Sequence, residues 1–293
     1  MKISGQTLFS SKPEATGILL FLLLTVAPLM AGIIYALLYS FGVIGLMSEG
    51  MTLAYWQQAL GRQEFWFSLG YTFYIALATI VLTITGALSL SLFLKKPFRQ
   101  GFPGFSLYVP LAFPAIVVAF LVFQVASQSG LLSRMLWQLG LISDSAAFPE
   151  LVNDPFGIGI IAAHTFMAMP FFTLYFINLY DGERIREYVR VAGSLGASRM
   201  QQLQRVEIPI LLRRAFPTII LYTIFVLGSY EIPLILGRQS PQMMSVMIIN
   251  KLRKFSLSTI PEAYVAALVF VGIIIVLLII IFKTRTFSYD LDK

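Results

Sequence analysis

The residues whose chemistry stands out are those placed where polar chemistry is costly. Glu231 lies in VLGSYEIPLILG and His164 in IIAAHTFMAMPFF, each inside a long apolar stretch. A carboxylate near the centre of a bilayer costs about 2.5–3.5 kcal/mol on insertion scales, so it is expected to face a partner or a water-filled route. Tyr230 adds a phenol beside Glu231, and Gly228 and Pro233 around them predict a locally opened helix. Residues of this kind suit the recognition and passage of a solute. They also serve as hydrogen-bonding groups between helices, and a pair formed by His164 and Glu231 is the specific expectation.

A second set occupies the polar island EYVRVAGSLGASRMQQLQRVEIP, Glu187 to Pro209. Ile185, Tyr188, Val189 and Ala192 recur at i, i+3, i+4 and i+7, with Arg184, Arg186, Glu187 and Arg190 mostly on other faces. This predicts a short amphipathic helix whose apolar face packs on the membrane spans. Gly193 and Gly196 close it, Ser198 with Gln201 three positions on reads as a capping box that starts a second short helix, and Pro209 marks the junction with the next span.

Much other chemistry is missing from the sequence. No P-loop, H-E-x-x-H, G-x-S-x-G or calcium-loop pattern occurs. With one histidine and no cysteine there is no basis for a metal cluster, a thiolate nucleophile or a disulfide framework. No catalytic residue, metal or cofactor is expected in this chain. Neither is nucleic acid, because the basic residues occupy short loops rather than a continuous stripe.

The elements that position these residues follow from composition. Hydrophobic residues make up 58% of the 293-residue chain and charged residues 12%, and the mean hydropathy is +0.82. These values exclude an ordinary soluble domain. Asp, Glu, Lys and Arg are absent from 15–48, 65–94, 100–133 and 155–180, a fifth run at 215–237 is broken only by Glu231, and a sixth covers 263–282. Each run accommodates one helix of about 20 residues. The sequence therefore predicts an all-α membrane protein with six transmembrane helices, since continuous apolar runs do not fit a barrel. The first run, from Gly17 to about Phe41, is too long for a signal peptide and reads as a retained span.

Lysine and arginine set the expected orientation. Arg62, Arg134, Arg238, Lys251, Arg253 and Lys254 fall in one set of connecting segments. The other set, with the termini, holds all the rest: Lys2, Lys12, Lys95, Lys96, Arg99, seven arginines from Arg184 to Arg214, Lys283, Arg285 and Lys293. The bias places both termini and the Glu187–Pro209 island in the cytoplasm. Residues 128–154 then lie outside and predict a short interfacial helix. Residues 240–261 read either as a helix dipping into the bundle or as a surface helix. Pro110, Pro114 and Pro170 are expected as kinks inside spans three and four.

The island also carries a family likeness. Its spacing resembles the EAA loop of permease subunits of binding-protein-dependent, type I ATP-binding-cassette importers. Ala192, Gly196, Ala197, Ser198, Gln201 and the closing Val206-Glu207-Ile208-Pro209 match that motif. Its glutamate falls on Arg190 and its first alanine on Val191, with Glu187 about one helical turn earlier as the available substitute. YVPLAFPAIVVAF and MPFF resemble the proline-bearing third and fourth core spans of this permease family, and GSYEIPLILG with PQMMSVMI resembles the fifth span and outer loop of its polyamine, thiamine, iron or phosphonate group.

The resemblance implies an organisation: residues 1–64 as tail, first span and outer loop; 65–283 as the permease core with a coupling loop at 184–209; 284–293 as a cytoplasmic tail. It also implies ATPase subunits docked on the loop, a second permease subunit (identical or paralogous), an extracytoplasmic solute-binding protein, and a path for a small cationic or amine-bearing solute. An ion-coupled secondary transporter is the alternative, resting on Glu231 and His164 alone. A membrane-embedded enzyme would need catalytic groups that the chain lacks.

Overall fold

The computed structural model describes residues 12–45, 48, 50–94, 102–254 and 256–291. Lys2, Lys95, Lys96, Arg99 and Lys293, which enter the orientation bias, lie outside them. Every regular element among the described residues is helical. Among the described residues six helices are long and apolar enough to cross a membrane: Thr16–Ser40, Gln63–Phe93, Ala115–Gln138, Ile158–Gly182, Arg199–Leu227 and Thr259–Lys283. In hydrocarbon each backbone N–H and C=O must find its partner inside the segment, so the apolar runs become helices.

Proline shapes several of these crossings. The first is α1 (Lys12–Phe21) and α2 (Ala27–Ser40), joined by a widened π-turn at Leu22–Val26 just before Pro28. The fifth repeats the device, with a π-turn at Leu203–Glu207 just before Pro209. A proline removes one amide donor and drives its ring against the carbonyl four residues back, and a wider turn accommodates both without breaking the helix.

The third crossing corrects an expectation. Pro110 opens a 3₁₀ turn (Pro110–Ala112), and Phe113 and Pro114 are extended. Both prolines therefore precede the helix, which begins only at Ala115, because a residue before proline is driven out of the helical region. That helix is 12 residues, about 18 Å, and the candidate span Ala115–Gln138 joins it to the helix Leu131–Gln138 across a short break. Pro170, by contrast, is inside its helix as expected.

The chain divides into two compact units, residues 1–65 with 248–293, and residues 66–247. In the first, α14 (Thr259–Leu291) packs on α2 and α3 (Ala54–Gly61). Tyr35, Tyr39 and Tyr264 form a ring cluster with centroids 4.9–5.9 Å apart. Glu262, almost fully buried, bonds Lys251 Nζ at 2.9 Å and Arg62 at 2.8 Å.

The second unit contains α4 (Gln63–Phe93, from Trp66 on), α5 (Phe102–Ser106), α6 (Ala115–Ala126), α7 (Leu131–Gln138), α8 (Ile158–Gly182), α9 (Ile185–Ser194), α10 (Arg199–Gln202), α11 (Ile208–Leu227), α12 (Glu231–Leu236) and the start of α13 (Met244–Arg253). Helix α7 falls where the interfacial helix is expected, with Leu131, Met135 and Trp137 exposed and Ser133 buried. For α13 the burial of Met244, Met247 and Lys251 decides against a surface helix.

Two apolar clusters hold this unit together. One joins Tyr71 and Ile75 of α4 to Val118, Ile160, Ile232 and Leu236. The other joins Ile84, Ala87 and Leu88 to Phe172, Phe176, Ile185, Leu211 and Ala215. Earlier residues of α4 meet earlier residues of α8, and later meet later, so these two helices run parallel.

Candidate coupling loop and intramembrane residues

Helix α8 is 25 residues long, about 37 Å. The chain leaves its C-terminal end through Glu183 and Arg184, the latter at φ 51. Helix α9 follows, footed by Ile185, which is fully buried in the second apolar cluster, with Val189 against the same cluster. The predicted amphipathic helix is therefore present. Tyr188 departs from its expected place: it is 57% exposed, as are Val191 (60%) and Leu195 (83%). Tyr188, Val191 and Leu195 recur at i, i+3 and i+7, so α9 carries a second, outward apolar row. Arg184, Arg186, Glu187 and Arg190 are exposed beside it, and Ala192 is half-buried.

The glycine-closed end forms as the spacing predicts. Gly196 has φ +82, its N–H donates to Gly193 O at 3.0 Å, and the Ala197 N–H donates to Ala192 O at 3.0 Å. This is a Schellman closure, in which a left-handed residue satisfies the last helical carbonyls. A Cβ at Gly196 would meet no atom within 4 Å, so backbone conformation alone requires glycine there.

Ser198 then caps the next helix. Its N–H donates to Gln201 Oε1 at 2.8 Å, and the Gln201 N–H donates to Ser198 Oγ at 3.4 Å, a reciprocal capping box. The second loop helix meets span five at the π-turn just before Pro209, and the two run on as one helix from Arg199 to Leu227. The loop is thus rigidly continuous with a span at one end and bolted by Ile185 at the other.

Sequence reading missed Glu207 as a structural residue. Its carboxylate is buried and paired with Arg199, while Arg214 and Glu183 pair at 3.1 Å across the span junctions. The position of Glu207 before Pro209, in a helix continued by a π-turn, is the only sequence signal.

The intramembrane residues separate. His164 is fully buried in α8, its ring edge-on to Phe225 at 6.3 Å, and neither ring nitrogen has a hydrogen-bond partner among the described residues. Its carbonyl accepts from the Tyr222 hydroxyl at 2.9 Å. Glu231 is exposed at the first position of α12, after a break at Gly228–Tyr230 where the helix is opened as expected. Tyr230 is half-buried at that break. The expected His164–Glu231 pair does not form, because α12 starts a new helix and carries Glu231 away from the buried imidazole. Among the described residues no group of His, Asp and Glu is arranged to hold a metal ion.

Residues 87–285 match the family model described as binding-protein-dependent transport system inner membrane component. The chain belongs to this family. It is 28% identical over 269 residues to a probable ABC transporter permease protein, y4fN, of Sinorhizobium fredii (strain NBRC 101917 / NGR234). That match covers 89% of this chain and 43% of the relative, so the chain spans less than half the relative's length.

Two solved structures share the fold. One is a bacterial ABC transporter involved in import of the acidic polysaccharide alginate (TM-score 0.65, 18% identity, 92% of both chains). The other is a bacterial alginate ABC transporter in complex with an alginate pentasaccharide-bound periplasmic protein (TM-score 0.68, 15% identity, 92% of this chain and 91% of that one). The chain is thus a multi-pass inner membrane component of a binding-protein-dependent transport system, helical in every regular element of its described residues.

Proposed function

We propose that this permease couples to a separate ATPase through α9 and the Gly196–Ser198 turn, and moves a small cationic or amine-bearing solute past Glu231. The observation that carries the coupling role is the outward apolar row Tyr188, Val191 and Leu195, on a helix locked to the bundle through Ile185. An apolar row held on a rigid foot transmits a push, whereas a mobile loop absorbs it. Arg190 stands at the motif's acidic position, and the exposed Glu187 one turn earlier supplies the carboxylate.

The basic bias of the loops supports an orientation with both termini and this loop in the cytoplasm, where ATP is. The length of the Sinorhizobium relative leaves room for a second domain of similar size, which supports a second permease subunit beside this one. The alginate complex with its periplasmic protein supports delivery by a solute-binding protein on the opposite face.

The test is co-purification from native membranes. The tagged chain should retain a P-loop ATPase and vanadate-sensitive ATP hydrolysis, and Leu195→Glu should remove both while membrane insertion is unchanged. Full retention of the ATPase by that variant overturns the docking role.

A further inference from the structure

At the end of the bundle opposite the coupling loop there is a cup of about 430 Å³. Three segments wall it: the end of α6 with Ser127, Gln128 and Ser129, the turn at Ser145, and the stretch Glu150–Asn153 that leads into α8. The cup therefore lies at the N-terminal end of α8, and the loop that follows its C-terminal end is the coupling loop, about 37 Å away.

The cup is framed by fixed backbone. Phe148 and Val152 are buried beneath it, and Val152 belongs to the first apolar cluster. The Gln128 amide donates to Phe148 O at 3.4 Å. Asn153 is held at φ 60 by donating its N–H to Leu236 O at 2.8 Å. A non-glycine residue in that region is kept there by its surroundings.

Phe123 and Val152 give the lining an apolar side, and the remaining lining residues are polar. Glu150 supplies a carboxylate with no ion-pair partner among the described residues. Gln128 and Asn153 supply amide oxygens, and three serines supply hydroxyls. No lining residue is basic. Arg134, nearby, directs its Nε to Ser129 O at 3.1 Å and is not part of the lining. A second carboxylate follows along the same half of the bundle. Helix α12 touches the cup's frame through Leu236 O and begins five residues earlier at Glu231, about 7.5 Å along its axis.

From this we infer that the cup is a receiving subsite for an ammonium-bearing solute, holding it through Glu150 before it reaches the level of Glu231. The inference rests on the permease reading and adds a site and a charge preference to it. An ammonium group offers three donors to the Glu150 carboxylate and to the amide and hydroxyl oxygens around it, and its charge makes those hydrogen bonds strong. An acidic sugar brings a like charge to Glu150.

The experiment uses the full chain in lipid nanodiscs with three probes: spermidine, maltotriose and an alginate trisaccharide, read by saturation-transfer NMR. Spermidine should bind most strongly, weaken about tenfold in Glu150→Gln, and recover in Glu150→Asp. A spermidine signal unchanged in Glu150→Gln, equal binding of maltotriose, preference for the alginate fragment, or no binding of any probe overturns the proposal. ATPase retention through Leu195 is read separately, so loss of the cup proposal leaves the permease reading standing, and the converse.

Discussion

Arg199 and Glu207 form an ion pair across the π-turn Leu203–Glu207, with the carboxylate 1% exposed and the guanidinium 59% exposed. The pair fastens the first turns of the loop helix to the point where span five begins. The asymmetry of burial sets a prediction. Arg199→Ala strands a buried charge and should destabilise the solubilised chain by about 1–3 kcal/mol, while Glu207→Gln keeps an acceptor and should cost less. Thermal unfolding followed by tryptophan fluorescence ranks the two; equal losses would contradict the argument.

Gly196 is required by its φ of +82 rather than by space. Gly196→Ala should insert normally and lose part of its coupled ATP hydrolysis, since a left-handed β-carbon costs about 1–2 kcal/mol. Gly196→Pro cannot adopt that φ and also loses the N–H bonded to Gly193 O. It should abolish ATPase co-purification. Retention of the ATPase by the proline variant would count against the loop's role.

Because His164 and Glu231 do not touch, their substitutions should act independently. His164→Leu, Glu231→Gln and the double variant, compared in solute uptake and in thermal unfolding, should add within about 0.5 kcal/mol. A larger coupling energy would mean that the two residues meet in another state of the transport cycle.

Lys251 and Glu262 are both buried and bonded at 2.9 Å. Removing Lys251 leaves the buried Glu262 carboxylate with the half-exposed Arg62 as its ion-pair partner, so Lys251→Met should cost about 1–3 kcal/mol. The double variant Lys251→Met, Glu262→Leu should regain much of that loss, since an apolar pair of similar volume avoids the desolvation cost. A double variant worse than the single would show that the bond of Glu262 to Arg62 carries the stability instead.

Orientation is open to direct labelling, because the chain has no cysteine of its own. A single cysteine at Leu195, 83% exposed, should react with a membrane-impermeant maleimide only in inside-out vesicles. One at Ser145, on the cup, should react only in right-side-out cells. The reverse pattern would invert the proposed topology.

Local features were legible in the sequence because their physics is local. Six continuous apolar runs can be nothing but helices where water is absent, and the Ser198–Gln201 box and the left-handed Gly196 follow from a few adjacent residues. The side chain at Tyr188 was not legible: its helical spacing groups it equally with the inner face and with an outward row, and only the packing around Ile185 chooses. Pro110, Pro114 and Pro209 show the same limit. A proline announces a disturbance, yet whether it precedes a helix, kinks it or is absorbed by a π-turn depends on what the neighbouring turns can bond to.

By itself the sequence determined the class of protein, the number of crossings and the existence of a glycine-hinged loop, since hydropathy and turn chemistry act over short stretches. The tertiary structure decided which residues meet. It buried Glu207 against Arg199, set His164 apart from Glu231, turned Leu195 outward, and assembled Gln128, Ser145, Glu150 and Asn153 into one cup. These relations join residues distant along the chain or on alternative faces of one helix, and only the packing of helices on one another selects among them.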